Sequence, residues 1–413
     1  MITSLGTLRT NFDVAFEAND SGQAVAAAIN GSTPNNLVAT IYDPASGWTT
    51  GATLDTDGAA LSGRPAIDID ADGNAMAVWE QPTGVTDVYW SRYEAGAGWS
   101  GAQMLNTDTT YDAGDPSVTM DDAGNAIAVW LQRVAPAATP VIMARVYTRG
   151  VGWGTALRIN GAEDLGTAHP PLVKLTPDGQ TGMAIWGQTD GVRYNMWAAR
   201  YLAGSGWQTA GKMESDDTEG GGSEIDLSVS NDGKFLGLMG MSTGTMFSIT
   251  NTWGNLFTPG SGWGTAQKLE TDDSGSSYPL WGGGTFADDG TAHAFWNQNY
   301  GPGNTYRLMW TRNSGSGWQT ARQVGEDLTT GAIPYSDAAV DRFGNVVVVF
   351  ISATGIASSR FNPMALLTGA WSDQETVATT GVPGLPKVSI INDCGDAMAT
   401  WSSGTTPYVG FYR

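Results

Sequence analysis

Short runs in which large apolar residues alternate with small or polar ones recur along this chain at an even interval. Residues 65–69 (Pro-Ala-Ile-Asp-Ile) alternate and end at Asp70-Ala71-Asp72-Gly73. A short Asp-x-x-Gly link between alternating runs predicts a β-hairpin, with glycine in the positive-φ position. The returning strand, 74–79 (Asn-Ala-Met-Ala-Val-Trp), reappears at 125–130 and, altered, at 291–296. Alanines alternating with larger residues are expected where two sheets press together. A third strand follows a variable loop, at 88–93, 196–201 and 307–312, and a Gly-Trp turn leads to a fourth, such as 102–107.

Two series mark the period. The turn glycines are Gly22, Gly73, Gly124, Gly179, Gly233, Gly290, Gly344 and Gly395. Between them fall Trp48, Trp99, Trp153, Trp207, Trp263, Trp318 and Trp371, and both series step by 51 to 57 residues. Four antiparallel strands at that period, without helical periodicity, predict an all-β, eight-bladed β-propeller. The blades are expected at about 14–57, 58–108, 109–162, 163–216, 217–271, 272–326, 327–380 and 381–413 plus 5–11. The last blade lacks its own fourth strand, and residues 6–11 read like 155–160, so the N-terminal strand is expected to close the ring.

The chain resembles secreted bacterial propeller-repeat proteins, whose repeats look like Gly-Asn-Ala-x-Ala-Val-Trp-x-Gln, then Arg-Tyr, then Gly-x-Gly-Trp. The resemblance is carried by 73–81 with Arg92, Tyr93 and Trp99, and by 179–188 with Arg200, Tyr201 and Trp207. It implies a propeller that is extracellular, periplasmic or on the cell surface, in a group whose function is mostly unassigned. The Gly-Trp turn takes the place of the sialidase Asp-box, but the Ser-x-Asp-x-Gly-x-x-Trp pattern is absent, so no sialidase activity carries over.

Composition narrows the chemistry. With 41 acidic residues against 20 basic ones, the net charge of −21 disfavours nucleic acid and anionic lipid. No apolar run is long enough to cross a membrane as a helix. One cysteine, Cys394, and two histidines leave few members for a nucleophile–histidine set. His293 reads as a core residue, and His169 sits in an acidic loop. The recurrent tryptophans and Arg92, Arg145, Arg200, Arg312 and Arg360 read as packing and struts, because they recur at fixed places in the repeat. Asp68-x-Asp70-x-Asp72-Gly73 resembles the opening of a calcium loop but lacks its closing glutamate.

The loops after the second and fourth strands share one face and vary most. They hold aromatics the repeat does not explain: Tyr111, Tyr194, Tyr278, Trp281, Tyr300, Tyr306 and Tyr335. Gln81, Gln132, Gln188 and Gln298 are expected on the same side. Aromatic faces beside amides suit a polyhydroxylated ligand. The candidate ligand site is therefore Tyr111, Tyr278, Trp281, Tyr300, Tyr335, Gln132 and Gln188, with calcium possible at Asp216, Asp217, Asp272 and Asp273. The leading reading is a non-catalytic exported module that binds a glycan or protein on its loop face. A glycosidase or lyase using paired loop carboxylates and a structural or assembly subunit are the alternatives. Deleting residues 1–12 is expected to lower the melting temperature by several degrees, since it removes ladder bonds and bares a strand edge; an unchanged melt would count against ring closure.

Overall fold

The computed structural model describes residues 14–412 apart from 31–34, 57–64, 83, 137, 162–169, 190–192, 215–219, 243–249, 272–275, 279–282, 301–304, 330–334, 353–354, 365–369, 379–384, 393–394 and 404–405. Eight antiparallel sheets follow one another along the chain and form an eight-bladed propeller. The first strands of neighbouring blades touch all the way round, from Ala15–Ala18 through Ala66–Ile69 and onward to Lys387–Ile390, which returns to Ala15–Ala18. They line the axis. Val14, Phe16, Ala24, Ala26 and Ala28 of blade 1 pack with Met398 and Val409 of blade 8, sealing the seam. The expected fourth strand of blade 8, residues 6–11, lies outside the described residues, as do Cys394 and His169.

The second strands explain the alanine alternation. In Ala75–Pro82, Ala75, Ala77 and Trp79 pack towards blade 1, whereas Met76 and Val78 pack towards blade 3. Blade 3 repeats this: Ala126, Ala128 and Trp130 meet Met76 and Val78, while Ile127 and Val129 face blade 4. Each of these layers joins a row of large side chains on one blade to an alanine row, closed by a tryptophan, on the next. Small against large lets sheets pack closely without voids.

The outer strands are more broken than their sequence implies. In most blades the fourth strand is two short pieces, such as Gly47–Trp48 and Ala52–Thr53, both paired with the third strand. The tryptophan is paired in register with a third-strand aromatic, as in Tyr42 with Trp48 and Tyr147 with Trp153. Their rings lie 5.3 and 5.4 Å apart. Trp90 of blade 2 also meets Trp153 edge-on at 5.7 Å. Aromatic pairs at such spacings add to the area they bury.

The Asp-x-x-Gly-Asn turns form a lattice. Asp70 Oδ1 accepts the Asp72 and Asn74 amides at 3.0 and 2.8 Å, and its Oδ2 accepts Asn74 Nδ2 at 2.8 Å. Asn74 in turn accepts the Ala95 amide at 3.0 Å, tying the hairpin turn to the Gly-Trp turn. Asp121 with Asn125, and Asp341 with Asn345, repeat the contacts. Across the interface, Arg92 Nη1 donates to the Gly124 carbonyl at 2.9 Å while its guanidinium covers Tyr147. Gly124 is required twice over: its φ is 82°, and a Cβ there would lie 2.7 Å from Asp70 Oδ2. The acids of the calcium-like segment thus diverge. Asp70 holds its own turn, Asp72 pairs with Arg149 at 2.9 Å, and Asp68 turns to the channel.

Asp70→Ala would strip Asn74 of its side-chain acceptor and remove the carboxylate 3.7 Å from the buried Arg92 guanidinium, leaving it Glu94 at 3.6 Å and the Gly124 carbonyl. It is expected to destabilise the protein by about 3 kcal/mol or more, read as a lower urea midpoint at unchanged slope. A shift below about 0.5 kcal/mol would show that the lattice contributes little.

Candidate functional site

Among the described residues, three places on the ring combine accessibility with chemistry: the axial channel, the loop face, and a groove between blades 2 and 3.

The inner strands alternate. One row of side chains enters the core, and the other, with Glu17, Asp68, Thr119 and Lys174 beside Ala15, Ala66 and Leu172, faces the channel and the following blade. Asp68 Oδ2 accepts the Met120 amide, Thr119 Oγ1 the Leu175 amide, Asp226 Oδ2 the Gly284 amide and Asp337 Oδ2 the Val388 amide, at 2.7 to 3.2 Å. Each bond runs from one blade to its successor. Glu17, Asp68 and Lys174 each stand five residues before a turn glycine, so they share one level of the ring. Lys174 Nζ lies 3.9 Å from Glu17 Oε1 although their blades, 4 and 1, are not neighbours; this pair spans the axis. Lys387 approaches Asp337 at 3.5 Å.

This mixed ring reshapes proton affinities. Burial pushes Glu17 up to about 7, with Lys174 opposing and Asp68 adding to the rise. Burial likewise raises Asp68 and Asp226, and takes Glu224, two residues before Asp226, up to about 8. Lys174 and Lys387 are raised, chiefly by Glu17 and by Asp337 respectively. The side chains of Glu17 and Lys174 retain about a third of their exposure, so water in the channel screens them.

On the loop face, Tyr300 is exposed and the Arg307 guanidinium lies 3.7 Å from its ring centre. Tyr194 is also exposed, whereas Tyr306 is buried. Tyr111 is half-buried, and its carbonyl accepts Gln132 Nε2 at 3.1 Å. Tyr335 packs half-buried against the core between blades 7 and 8, and its carbonyl accepts the Ile351 amide. Tyr278 belongs to the two-residue strand Ser277–Tyr278, paired with Asn297. Trp281, Asp216, Asp217, Asp272 and Asp273 lie outside the described residues.

Gln132 and Gln188 are buried rather than presented to solvent. Gln188 accepts the Trp186 indole N–H at 2.9 Å, and Gln132 accepts that of Trp130 at 3.3 Å. Gln81 and Gln298 do the same for Trp79 and Trp296. The Trp-x-Gln spacing brings indole and amide to one side of a strand, a signal readable in the sequence. Loop acids also serve the backbone: Asp55 is buried and accepts the Leu37 amide, and the exposed Asp112 accepts the Thr86 amide. The acidic rim is thus partly a set of loop anchors.

His293 is buried and accepts the Trp310 indole N–H at 3.1 Å; burial lowers its pKa to about 3, which keeps it neutral. Arg145 acts as a strut, donating to the Gly154 and Leu105 carbonyls at 2.8 and 2.7 Å. Arg200 and Arg312 cover Phe257 and Phe361 of the following blades. The groove, of about 510 Å³, lies beside Arg145 and is bordered by Trp90, Gln103, Met104, Val151 and Trp153.

The raised carboxyls give stability a defined pH dependence. A carboxyl whose folded pKa exceeds its unfolded value holds its proton more tightly when folded. Its contribution is complete below the ordinary 4.5 of Glu17 and Glu224, and is lost as pH rises through about 7 and about 8. Stability should therefore fall between about pH 5 and about pH 8, and Glu224→Gln should flatten the upper part of that fall. A urea midpoint that is flat over this range, or that Glu224→Gln leaves unchanged, would contradict the burial of Glu224.

No protein-family profile matches this chain, and no curated protein is similar to it in sequence. Solved structures do share its architecture. A lectin from Burkholderia pseudomallei aligns over 90% of this chain and 100% of its own, with a TM-score of 0.59 and 11% identity. A polysaccharide lyase, described as an ulvan lyase, aligns over 98% and 96%, with a TM-score of 0.50 and 10% identity. At identities this low the likeness shows the fold alone: the chain is an eight-bladed β-propeller that shares its architecture with these structures.

Proposed function

We propose that this protein is an exported, non-catalytic carbohydrate-binding module whose loop face receives the glycan. The observation that carries the reading is Tyr300, an exposed ring backed by Arg307, on the face that also exposes Tyr194. An exposed aromatic held by a cation gives the apolar face of a sugar ring a fixed platform at low entropic cost. Tyr111 and Tyr335, each half-buried, contribute edges rather than platforms. The glutamines support the floor from within. Full-length likeness to a lectin and to a polysaccharide lyase agrees with a glycan ligand but does not choose one. A location outside the cytoplasm belongs to the same proposal and rests on the resemblance of the repeats; among the described residues no helix is long and apolar enough to cross a membrane.

One observation favours a second reading, a carbohydrate-active enzyme. Glu224, held up to about 8, retains its proton at neutral pH, as a general acid must. The two readings part on whether the glycan is cleaved.

A glycan array with the wild-type protein, run with and without calcium, tests both. Retention of a defined glycan class is expected, with at least a tenfold loss for Tyr194→Ala/Tyr300→Ala and an unchanged melting temperature. Loss on chelation would implicate Asp216, Asp217, Asp272 and Asp273. No retained glycan, or equal retention by the double variant, would overturn the loop-face assignment; shortened products would favour the enzyme.

A further inference from the structure

We infer that the groove between blades 2 and 3 is a second saccharide site, separate from the loop face. It lies beside the Gly-Trp turn of blade 3, where Gly150, Val151, Gly152 and Trp153 meet the outer strand Gln103–Met104 of blade 2. Its volume of about 510 Å³ falls in the ordinary range for small-molecule sites, ~300–1,000 Å³.

The lining is the chemistry a neutral pyranose needs. Trp90 and Tyr147 are buried and form a rigid floor, 5.9 Å apart and both packed on Trp153. Trp153 is only half-buried, and Met104 and Val151 are exposed, so an apolar wall faces the opening. Opposite polarity comes from the exposed Gln103 amide, with a donor and an acceptor, and from the backbone around Gly150 and Gly152. Both glycines have positive φ, 77° and 106°, and no atom lies within 4 Å of where a Cβ would stand. The turn therefore leaves its backbone open to hydroxyl groups. Arg145, which donates to the Gly154 and Leu105 carbonyls, holds the wall in place. The groove thus sets aromatic and aliphatic faces beside hydrogen-bonding groups. That mixture fits a sugar ring, with one C–H face and a girdle of hydroxyls, better than an apolar side chain.

The repeat supplies an independent argument. At the position of Val151 the other Gly-Trp turns carry Ser46, Ala97, Ser205, Ser261 and Ser316. Val151 is 84% exposed, so it adds nothing to the core and stands at a solvent cost. Trp90 stands where blades 1, 3, 4 and 5 hold Ala39, Ala144, Ala198 and Gly254, and blade 6 repeats it as Trp310, packed in the same way on Phe361 and Trp371. The departure peculiar to this groove is Val151, which packing does not need.

The experiment is calorimetric titration of the full chain with the methyl glycosides of glucose, galactose, mannose and fucose. Saturable binding of at least one is expected. Val151→Asp should weaken it at least tenfold, and Gln103→Ala severalfold, each with an unchanged melting temperature because both side chains are exposed. Tyr194→Ala/Tyr300→Ala should leave this binding intact, which separates the groove from the loop face. Binding lost in the tyrosine variant but kept in Val151→Asp would overturn the groove and leave the loop-face reading standing. No saturable binding of any of the four glycosides would overturn the groove as well, while the array decides the loop face on its own.

Discussion

The contact between a row of large side chains and a row of alanines is what most seams of the ring are built from. Met76 and Val78 of one blade meet Ala126 and Ala128 of the next, and a tryptophan closes the end of the row. Because one strand presents the large row on one side and the alanine row on the other, blades such as 2 and 3 are both knob and socket, whereas blade 5 offers Phe235 and Met239, and blade 7 Val346, Val348 and Phe350, to the blade before. That asymmetry gives the ring a direction. The polar bonds obey it too: Asp68, Thr119, Asp226 and Asp337 all reach forward to an amide of the following blade. Packing sets the spacing, and the forward bonds set the register of one inner strand against the next.

How much was visible beforehand depends on whether a feature is local to one repeat. The alternation at 74–79, the Asp-x-x-Gly turns and the Gly-Trp period are local, and the architecture follows from them. The breaks in the outer strand are not, since they depend on how tightly Trp48 or Trp153 is drawn against its third-strand partner. The glutamines misled for a similar reason. A polar residue at a strand end next to a loop reads as exposed, but the indole two residues earlier lacks an acceptor, and the amide turns inward to provide one.

The channel was hidden by closure itself. Glu17 and Lys174 occupy equivalent positions in repeats 1 and 4, and nothing in the intervening chain marks them as partners. Only a ring brings them within reach. The candidate sites show the complementary logic. Repeat proteins hide their working residues among equivalents, so the informative positions are exceptions: an exposed Val151 where serine or alanine is usual, and Tyr300 with its arginine in a loop no other blade copies.

The crossing of the axis by Lys174 and Glu17 has a consequence for how the molecule comes apart. Linear solenoids fray from their ends, because each unit holds only its neighbours. Here blade 1 is held by blade 8 at the seam and by blade 4 through the middle. A blade that swings outward must break contacts on both flanks, and for blades 1 and 4 it must also part the water-screened ion pair across the hub. Loss of structure should then be all-or-none, with slow hydrogen exchange shared by inner strands far apart in the chain.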